Sequence, residues 1–419
     1  MRWRCTVSRF LILTGAPLAL IALAVGLAGC GGVGVSGAET ATGNQLTIYS
    51  SLPLQGPEAS ASEEIVNGEK LALDDAGGRV GPFKIGYVSL DDASPSSATW
   101  APGVTATNAK TAAADPSAIA FLGDYNSAAT AVSLPLMNAA GILQVSPASP
   151  YVGLTSSLDA GQDEPERFYP SGQRTFGRLQ PGDTVEAGAQ VQLMQALGVH
   201  RLYVLNDQEP FDMPLADIVS GDAEAAGIAL ASHDSLLISS GASFTGEAEK
   251  IAHSGAQAVF FAGGAAPGVV TLWRQLHRAD PGLLLLGSSA TASESFAAEI
   301  GEAGANTYLT TPLLPVGLYP ASAQQVLRAY SHQFGSEGTA NALYGYETMS
   351  VVLSSISGAG AHGNDRQTVI DRFFSVKARN SVIGSYSIQA NGETTLSRYG
   401  VDRVTGGHLA FNRAIEVRL

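Results

Sequence analysis

Apolar positions fall into two successive series in which short hydrophobic runs alternate with longer amphipathic ones. The run Leu46-Thr47-Ile48-Tyr49 reads as a strand, and the loop 50–56 stops it. Over 63–75, Ile65, Val66, Leu71 and Leu73 fall near helical spacing. Strands are predicted over 83–90, 118–122 and 142–145, alternating with helices over 99–114 and 127–140. After a longer loop the rhythm restarts. Helices are predicted over 184–197, 213–226, 245–254 and 268–278, with strands over 201–205, 228–232, 258–261 and 283–286. Two further helices, 340–357 and 365–374, and β-prone stretches near Ser385 and Leu409 close the chain. This alternation predicts an α/β fold in which each series forms a parallel sheet flanked by helices, giving two lobes.

Composition agrees with two lobes and removes several functions. The 419 residues exceed one typical domain. Only 14% are charged, yet 37 acidic residues outweigh 23 basic ones and leave a formal charge of −14. No Lys/Arg cluster suited to phosphate accompanies that balance, so nucleic acid is not expected as a partner. Two cysteines, Cys5 and Cys30, exclude a disulfide framework or a cysteine-based zinc site.

The position of Cys30 carries more than the count. Arg2, Arg4 and Arg9 precede an uncharged stretch over 10–29 that ends Leu27-Ala28-Gly29-Cys30. A basic start, an apolar middle and small residues at the break are the layout of a secretory signal. The four residues resemble the lipobox of bacterial lipoproteins, which implies a signal peptide over 1–29 and lipidation at Cys30. An uncleaved membrane anchor is the alternative, since 20 residues can span a bilayer of about 30 Å. Both readings put the remainder outside the cytoplasm. Loss of the three arginines would move the charge from −14 to −17. Residues 30–43, rich in Gly, Ser, Thr and Ala, read as a flexible tether.

Several short stretches follow one another in a particular order: Leu52-Pro53-Leu54-Gln55-Gly56, Asn67-Gly68, Gly123-Asp124-Tyr125-Asn126-Ser127 and Val145-Ser146-Pro147-Ala148-Ser149. Later come Phe176-Gly177-Arg178-Leu179 with Pro181 and Asp183, Tyr346-Glu347, and Ile383-Gly384-Ser385-Tyr386 with Asn391-Gly392. From about Leu46 to the C-terminus this order resembles the type I periplasmic binding fold, in particular the Leu/Ile/Val-binding family of substrate-binding proteins that serve ABC importers. The resemblance implies three hinge crossings, one lobe from 44–176 and 313–383, and a second from 177–312 and 384–419. A cleft between them would close on a small ligand.

Candidate ligand residues follow from strand ends and from the resemblance. Asn126 and Ser127 follow a strand and open a helix, so backbone N–H groups and a hydroxyl would meet an anion there. A simple helix cap is the plain alternative. The family uses the loop of Ser146, Ala148 and Ser149 for hydrogen bonds to a ligand's carboxylate and amino groups; by pattern alone the loop is an ordinary turn. Phe211 stands where the family often covers the ligand with an aromatic ring, the alternative being a core side chain. Ser289 stands where amino-acid binders place an acidic partner for the ligand ammonium, and the segment 262–266 lacks an aromatic found in such binders. An ammonium without a partner is costly to bury, so Asp183 or Asp212 would have to substitute, or the ligand is not a standard branched-chain amino acid.

No catalytic, metal or cofactor residue is assigned. The seven histidines show no metal-ligand spacing, Phe261-Ala262-Gly263-Gly264-Ala265 lacks the Lys of a phosphate loop, and Gly241-Ala242-Ser243-Phe244-Thr245 lacks the second Gly of a nucleophile elbow. Asp91-Asp92 reads as a solvated strand-end pair rather than a catalytic dyad. The expectation is a lipid-anchored extracytoplasmic solute-binding protein, not an enzyme, that passes an amino acid or related amide or carboxylate to an ABC permease. Two other readings stand beside it: a ligand sensor for a membrane receptor, and an enzyme on the same scaffold, for which no catalytic constellation appears.

Overall fold

The computed structural model describes residues 40–95 and 99–418; the expected signal peptide and Cys30 lie outside them. The first series forms a six-stranded sheet from β1 (Gln45–Leu52), β2 (Arg79–Val80), β3 (Phe83–Asp91), β4 (Ala118–Gly123), β5 (Leu143–Ser146) and β6 (Phe176–Arg178), in the order β2-β3-β1-β4-β5-β6. All neighbours are parallel except the β2–β3 edge. Between strands run α1 (Ala59–Asp75), α2 (Pro102–Ala114) and α3 (Ser127–Ala139). Pro102 at the first turn of α2 explains why this helix starts later than the pattern suggests, since proline suits a position whose N–H has no helical partner.

The second series begins with α4 (Asp183–Ala196) and continues with β7 (Arg201–Asn206), α5 (Met213–Ala225), β8 (Ala229–Ser235), α6 (Thr245–His253), β9 (Ala258–Ala262), α7 (Pro267–Ala279), β10 (Leu284–Gly287), α8 (Glu294–Glu299) and β11 (Thr307–Thr311). The chain then adds α9 (Ala321–Phe334), α10 (Ala340–Ala359), α11 (Arg366–Phe374), β12 (Arg379–Ser381) and β13 (Gly384–Tyr386), and returns with β14 (Arg398–Thr405) and β15 (His408–Glu416). The second sheet runs β15-β14-β11-β10-β9-β7-β8, with β14 antiparallel to β11 and β15 antiparallel to β14. Both sheets are therefore mixed where uniformly parallel ones were expected.

Helices cover both faces of each sheet, and the side-chain alternation of the strands decides which face each residue feeds. In β7, Leu202 and Val204 pack with α4 and α5, while Tyr203 and Leu205 join α6, α7 and α8. In the first sheet Leu46 and Ile48 meet α1, α9, α10 and α11, while Tyr49 faces α2 and α3. The chain passes between the sheets three times: after β6, between β11 and α9, and between β13 and β14.

Helices α1 and α10 pack at backbone contact. A Cβ on Gly68 would lie 2.1 Å from the Ala342 carbonyl oxygen, and one on Gly345 would lie 2.1 Å from that of Ile65. Glycine is required at both positions by this approach, not by backbone dihedrals.

Several elements escaped the pattern reading, and their residues say why. β6 is three residues long and contains a fully buried arginine, and β11 (TYLTT) is mostly threonine yet buried. Neither shows the apolar run that marks a strand. α9 did carry a signal, since Ala323, Val326, Leu327 and Tyr330 form a helical stripe and all are buried.

Candidate ligand-binding site

The carboxyl ends of β1, β3, β4 and β5 bring together the loops that hold the first-sheet candidates. Gly123, at φ +137°, turns the chain out of β4, and a Cβ there would meet the Ser51 carbonyl oxygen at 2.6 Å. The next peptide is braced from three sides. Ser146 Oγ donates to the Asp124 carbonyl at 2.7 Å, Ser149 Oγ donates to the same oxygen at 2.9 Å, and Asp124 N–H donates to Thr130 Oγ1 at 3.2 Å. Ser146 Oγ also accepts from Ala148 N at 3.0 Å. Ser146 and Ser149 are fully buried, and Ala148 is buried beside them. Their hydroxyls hold the β4 and β5 loops to each other.

Asn126 occupies the cap position of α3 through its backbone, but its side chain does not cap the helix. Its Nδ2 instead donates to Glu58 Oε1 at 3.0 Å. Ser127 Oγ accepts from Tyr151 N at 3.2 Å, which ties the start of α3 to the loop after β5.

The Asp91-Asp92 pair differs from the solvated pair expected. Asp91 accepts from Leu54 N and Ala93 N, each at 2.9 Å, and from Gln55 Nε2 at 2.6 Å. Asp92 is fully buried, because its backbone is pinned on both sides: Asp92 N donates to Leu52 O at 3.1 Å, and Ala101 N donates to Asp92 O at 2.8 Å. Burial, with the charges of Asp124, Asp91 and Glu58 around it, pushes its carboxyl up to about 8. Asp124 is buried as well and is pushed up to about 7, chiefly by desolvation, against hydrogen bonds from Ser133 and Gln144. Burial also raises Glu58.

On the second sheet, Ser289 does have an acidic neighbour. The fully buried Glu186 of α4 accepts from Ser289 N at 2.6 Å and Ser289 Oγ at 2.7 Å. It also accepts from Thr310 Oγ1 at 2.6 Å and Tyr399 OH at 2.8 Å. Four donors use the four lone-pair sites of a carboxylate, so Glu186 joins α4, β11, β14 and the loop after β10 and has no acceptor left. Asp183, Glu186 and Gln190 form a buried polar stripe at helical spacing along α4, which is the signal the sequence offered for this hub.

The two loop sets meet at an aromatic pair. Phe211 lies half-buried with its ring centroid 4.9 Å from that of Tyr151, at an interplanar angle of 76°. Beside it Val152 N donates to Asp183 Oδ2 at 2.9 Å, and burial lifts the Asp183 carboxyl well above its usual range despite Arg178. Asp212 is pushed up to about 7 by burial and by Asp207, Glu186 and Glu209.

Arg178, at the end of β6, had no role in the sequence reading. Its Nη1 donates to the carbonyls of Ser149 at 2.5 Å and Tyr151 at 2.8 Å, and Nη2 donates to Thr155 Oγ1 at 2.9 Å and to Glu393. Nε donates to Glu393 Oε2 at 3.0 Å. All five N–H groups are engaged. Burial opposes charge on Glu393, but Arg178 outweighs it and holds that carboxyl below its usual range. The pair links the first crossing to the third.

Two helix-covered sheets joined by three crossings, with ligand-competent loops at the strand ends, define a two-lobed binding-protein architecture. This chain belongs to the periplasmic binding protein family, whose model matches residues 46–407. As a member it is a periplasmic binding protein, of a class that binds solutes outside the cytoplasm. The leucine-binding protein LivK of Thermotoga maritima is similar in fold, with 20% identity over 88% of this chain and 99% of that one and a TM-score of 0.72. A substrate-binding protein of Desulfitobacterium hafniense in complex with Leu has 16% identity over 88% of this chain and 100% of that one, at a TM-score of 0.71. A solute-binding protein from R. palustris in complex with benzoate has 15% identity over 88% and 96%, at 0.68. No curated protein sequence matches the chain. No described helix is long and apolar enough to cross a membrane.

Proposed function

We propose that this protein is a lipid-anchored solute-binding protein that captures a small polar ligand, an amino acid or a related amide or carboxylate, for an ABC importer. Its lobes, 44–176 with 313–383 and 177–312 with 384–419, close on the ligand, which stabilises the closed form by its differential affinity. The observation that carries this reading is the meeting of the loop after β5 with the loop after β7 at Tyr151 and Phe211. Those loops lie at the carboxyl ends of parallel strands, where ligands sit in open α/β sheets. Asn126, Ser127, Ser146, Ala148 and Ser149 form the first wall, with Phe211 and Ser289 on the second.

The structural neighbours bind ligands as different as leucine and benzoate. The surroundings here disfavour an aromatic acid without a cationic group, because Arg178 has every N–H engaged and the unmatched buried atoms around Asp92 are acceptor oxygens that offer an anion no donor. A ligand carboxylate would rely on the N–H groups that open α3. Leu27-Ala28-Gly29-Cys30 supports anchoring at Cys30.

A thermal-shift and calorimetric screen of the purified full-length protein against amino acids, amides and aromatic acids tests the reading. Saturable stabilisation by at least one solute is expected, and silence across a broad library would overturn it. Cys30→Ser should move the protein from the membrane to the soluble extracytoplasmic fraction.

A further inference from the structure

We propose that the ligand carries a cationic group other than an α-ammonium, a guanidinium or an amine at the end of an alkyl chain, held by Asp92, Glu58 and Asp124 at the carboxyl ends of β3, β1 and β4. The inference rests on the solute-binding reading above and names the chemistry of that site.

The argument starts from unmatched acceptors. Glu58 Oε2, both carboxyl oxygens of Asp92, Asp124 Oδ1 and Asn126 Oδ1 are buried and have no hydrogen-bond partner among the described residues. The loops that carry them adjoin, since Asn126 Nδ2 bonds Glu58, and Asp124 and Glu58 are among the charges that act on Asp92. Every unmatched atom is an oxygen acceptor, and the charges acting on Asp92 are acidic. Such a group is matched by a ligand that brings N–H donors and positive charge together.

Asp91 makes the contrast within the same loop. Two backbone N–H groups and the Gln55 amide satisfy it, whereas neither carboxyl oxygen of the next residue, fully buried, makes a hydrogen bond, and among the described residues the Ser51 hydroxyl is the one donor group near enough to act on it. Gln144, also fully buried, turns its amide nitrogen to Asp124 Oδ2 at 3.3 Å and leaves its own Oε1 unmatched.

A bare metal ion fits less well. No group of three or more His, Cys, Asp or Glu among the described residues has the arrangement to hold one. A guanidinium carries five N–H donors and an ammonium three, which can reach acceptors spread over several loops. The formal charge of −14 also concentrates cations near the surface.

Calorimetry and thermal shift on the full-length protein in detergent, with L-arginine, agmatine and putrescine against L-leucine and benzoate, test the proposal. At least one cationic probe should bind more tightly than leucine or benzoate. Asp92→Asn and, separately, Glu58→Gln should weaken that probe by about thirty-fold or more, with circular dichroism unchanged. A response to leucine or benzoate with none to the cations overturns the cationic assignment and leaves the solute-binding reading standing. Cation binding that survives both substitutions overturns the placement, and silence to all five probes and to the broader library overturns both readings.

Discussion

Glu186 separates a structural carboxylate from a ligand carboxylate. Its four bonds, to Ser289 N, Ser289 Oγ, Thr310 Oγ1 and Tyr399 OH, span 2.6–2.8 Å and reach it from three other segments of the chain. In Glu186→Gln the new carbonyl must face Ser289 N, a donor that cannot turn. The amide nitrogen then faces Ser289 Oγ and Tyr399 OH, whose hydroxyls must reorient to accept. Each bond changes from charge-assisted to neutral, a loss of roughly 1 kcal/mol apiece, partly offset by no longer burying a charge. The net expectation is a loss of about 2–3 kcal/mol. Glu186→Ala leaves a buried backbone donor unmatched and a cavity behind it, for about 3–5 kcal/mol. Urea denaturation followed by circular dichroism reads both, and a shifted midpoint at unchanged slope marks a stability effect. Because the carboxylate has no acceptor left, neither L-leucine nor L-arginine binding should depend on its charge once the variant is folded. Unchanged stability with abolished ligand binding in Glu186→Gln would refute this reasoning and make Glu186 the ammonium partner that the resemblance placed at Ser289.

Four more outcomes follow from the same geometry. Gly68→Ala should cost about 3 kcal/mol or prevent folding, since its Cβ would sit 2.1 Å from a carbonyl oxygen of α10. Gly103→Ala, with nothing within 4 Å, should instead gain up to about 1 kcal/mol in urea midpoints. Glu69, fully buried with Tyr87 OH donating to it at 2.5 Å, is pushed up to about 8 by desolvation. Its folded-state proton stabilises the protein below the ordinary carboxyl range, and that contribution is lost as pH rises toward 8. Glu69→Gln should therefore match the parent near pH 5 and exceed it by roughly 2–4 kcal/mol at pH 8.5; a deficit at both pH values would contradict the assignment. Arg178→Leu strands the Glu393 charge and should cost about 3–5 kcal/mol, while adding Glu393→Leu should recover part of it. Additive losses in that double-mutant cycle would show that the two side chains do not act as a pair.

The site was legible in outline and not in its partnerships. Asn126, Ser127, Ser146 and Ser149 stand out because polar residues follow apolar strands at the ends where ligands bind. That Ser146 and Ser149 spend their hydroxyls on the Asp124 carbonyl is a matter of contacts between separate loops. Asp92 looked like a solvated residue because two adjacent aspartates at a strand end are usually exposed, and only the chain returning at Ala101 buries it. Ser289 looked bereft of an acidic partner because that partner, Glu186, lies 103 residues earlier in the chain.

By itself the chain's pattern determined the two α/β series, most helices and strands within a few residues, and the family through an ordered set of weak motifs. Those properties are local: an apolar run, a helical stripe or a proline at a helix start acts over a few neighbours. Tertiary structure alone decided which carboxylates are matched. Asp91 and Glu186 find donors at short range and Asp92 does not, and three acidic residues of similar appearance end with different partners and different work. Burial and hydrogen bonding are set by segments distant in sequence, and a charge has no fixed cost until the fold has chosen its neighbours.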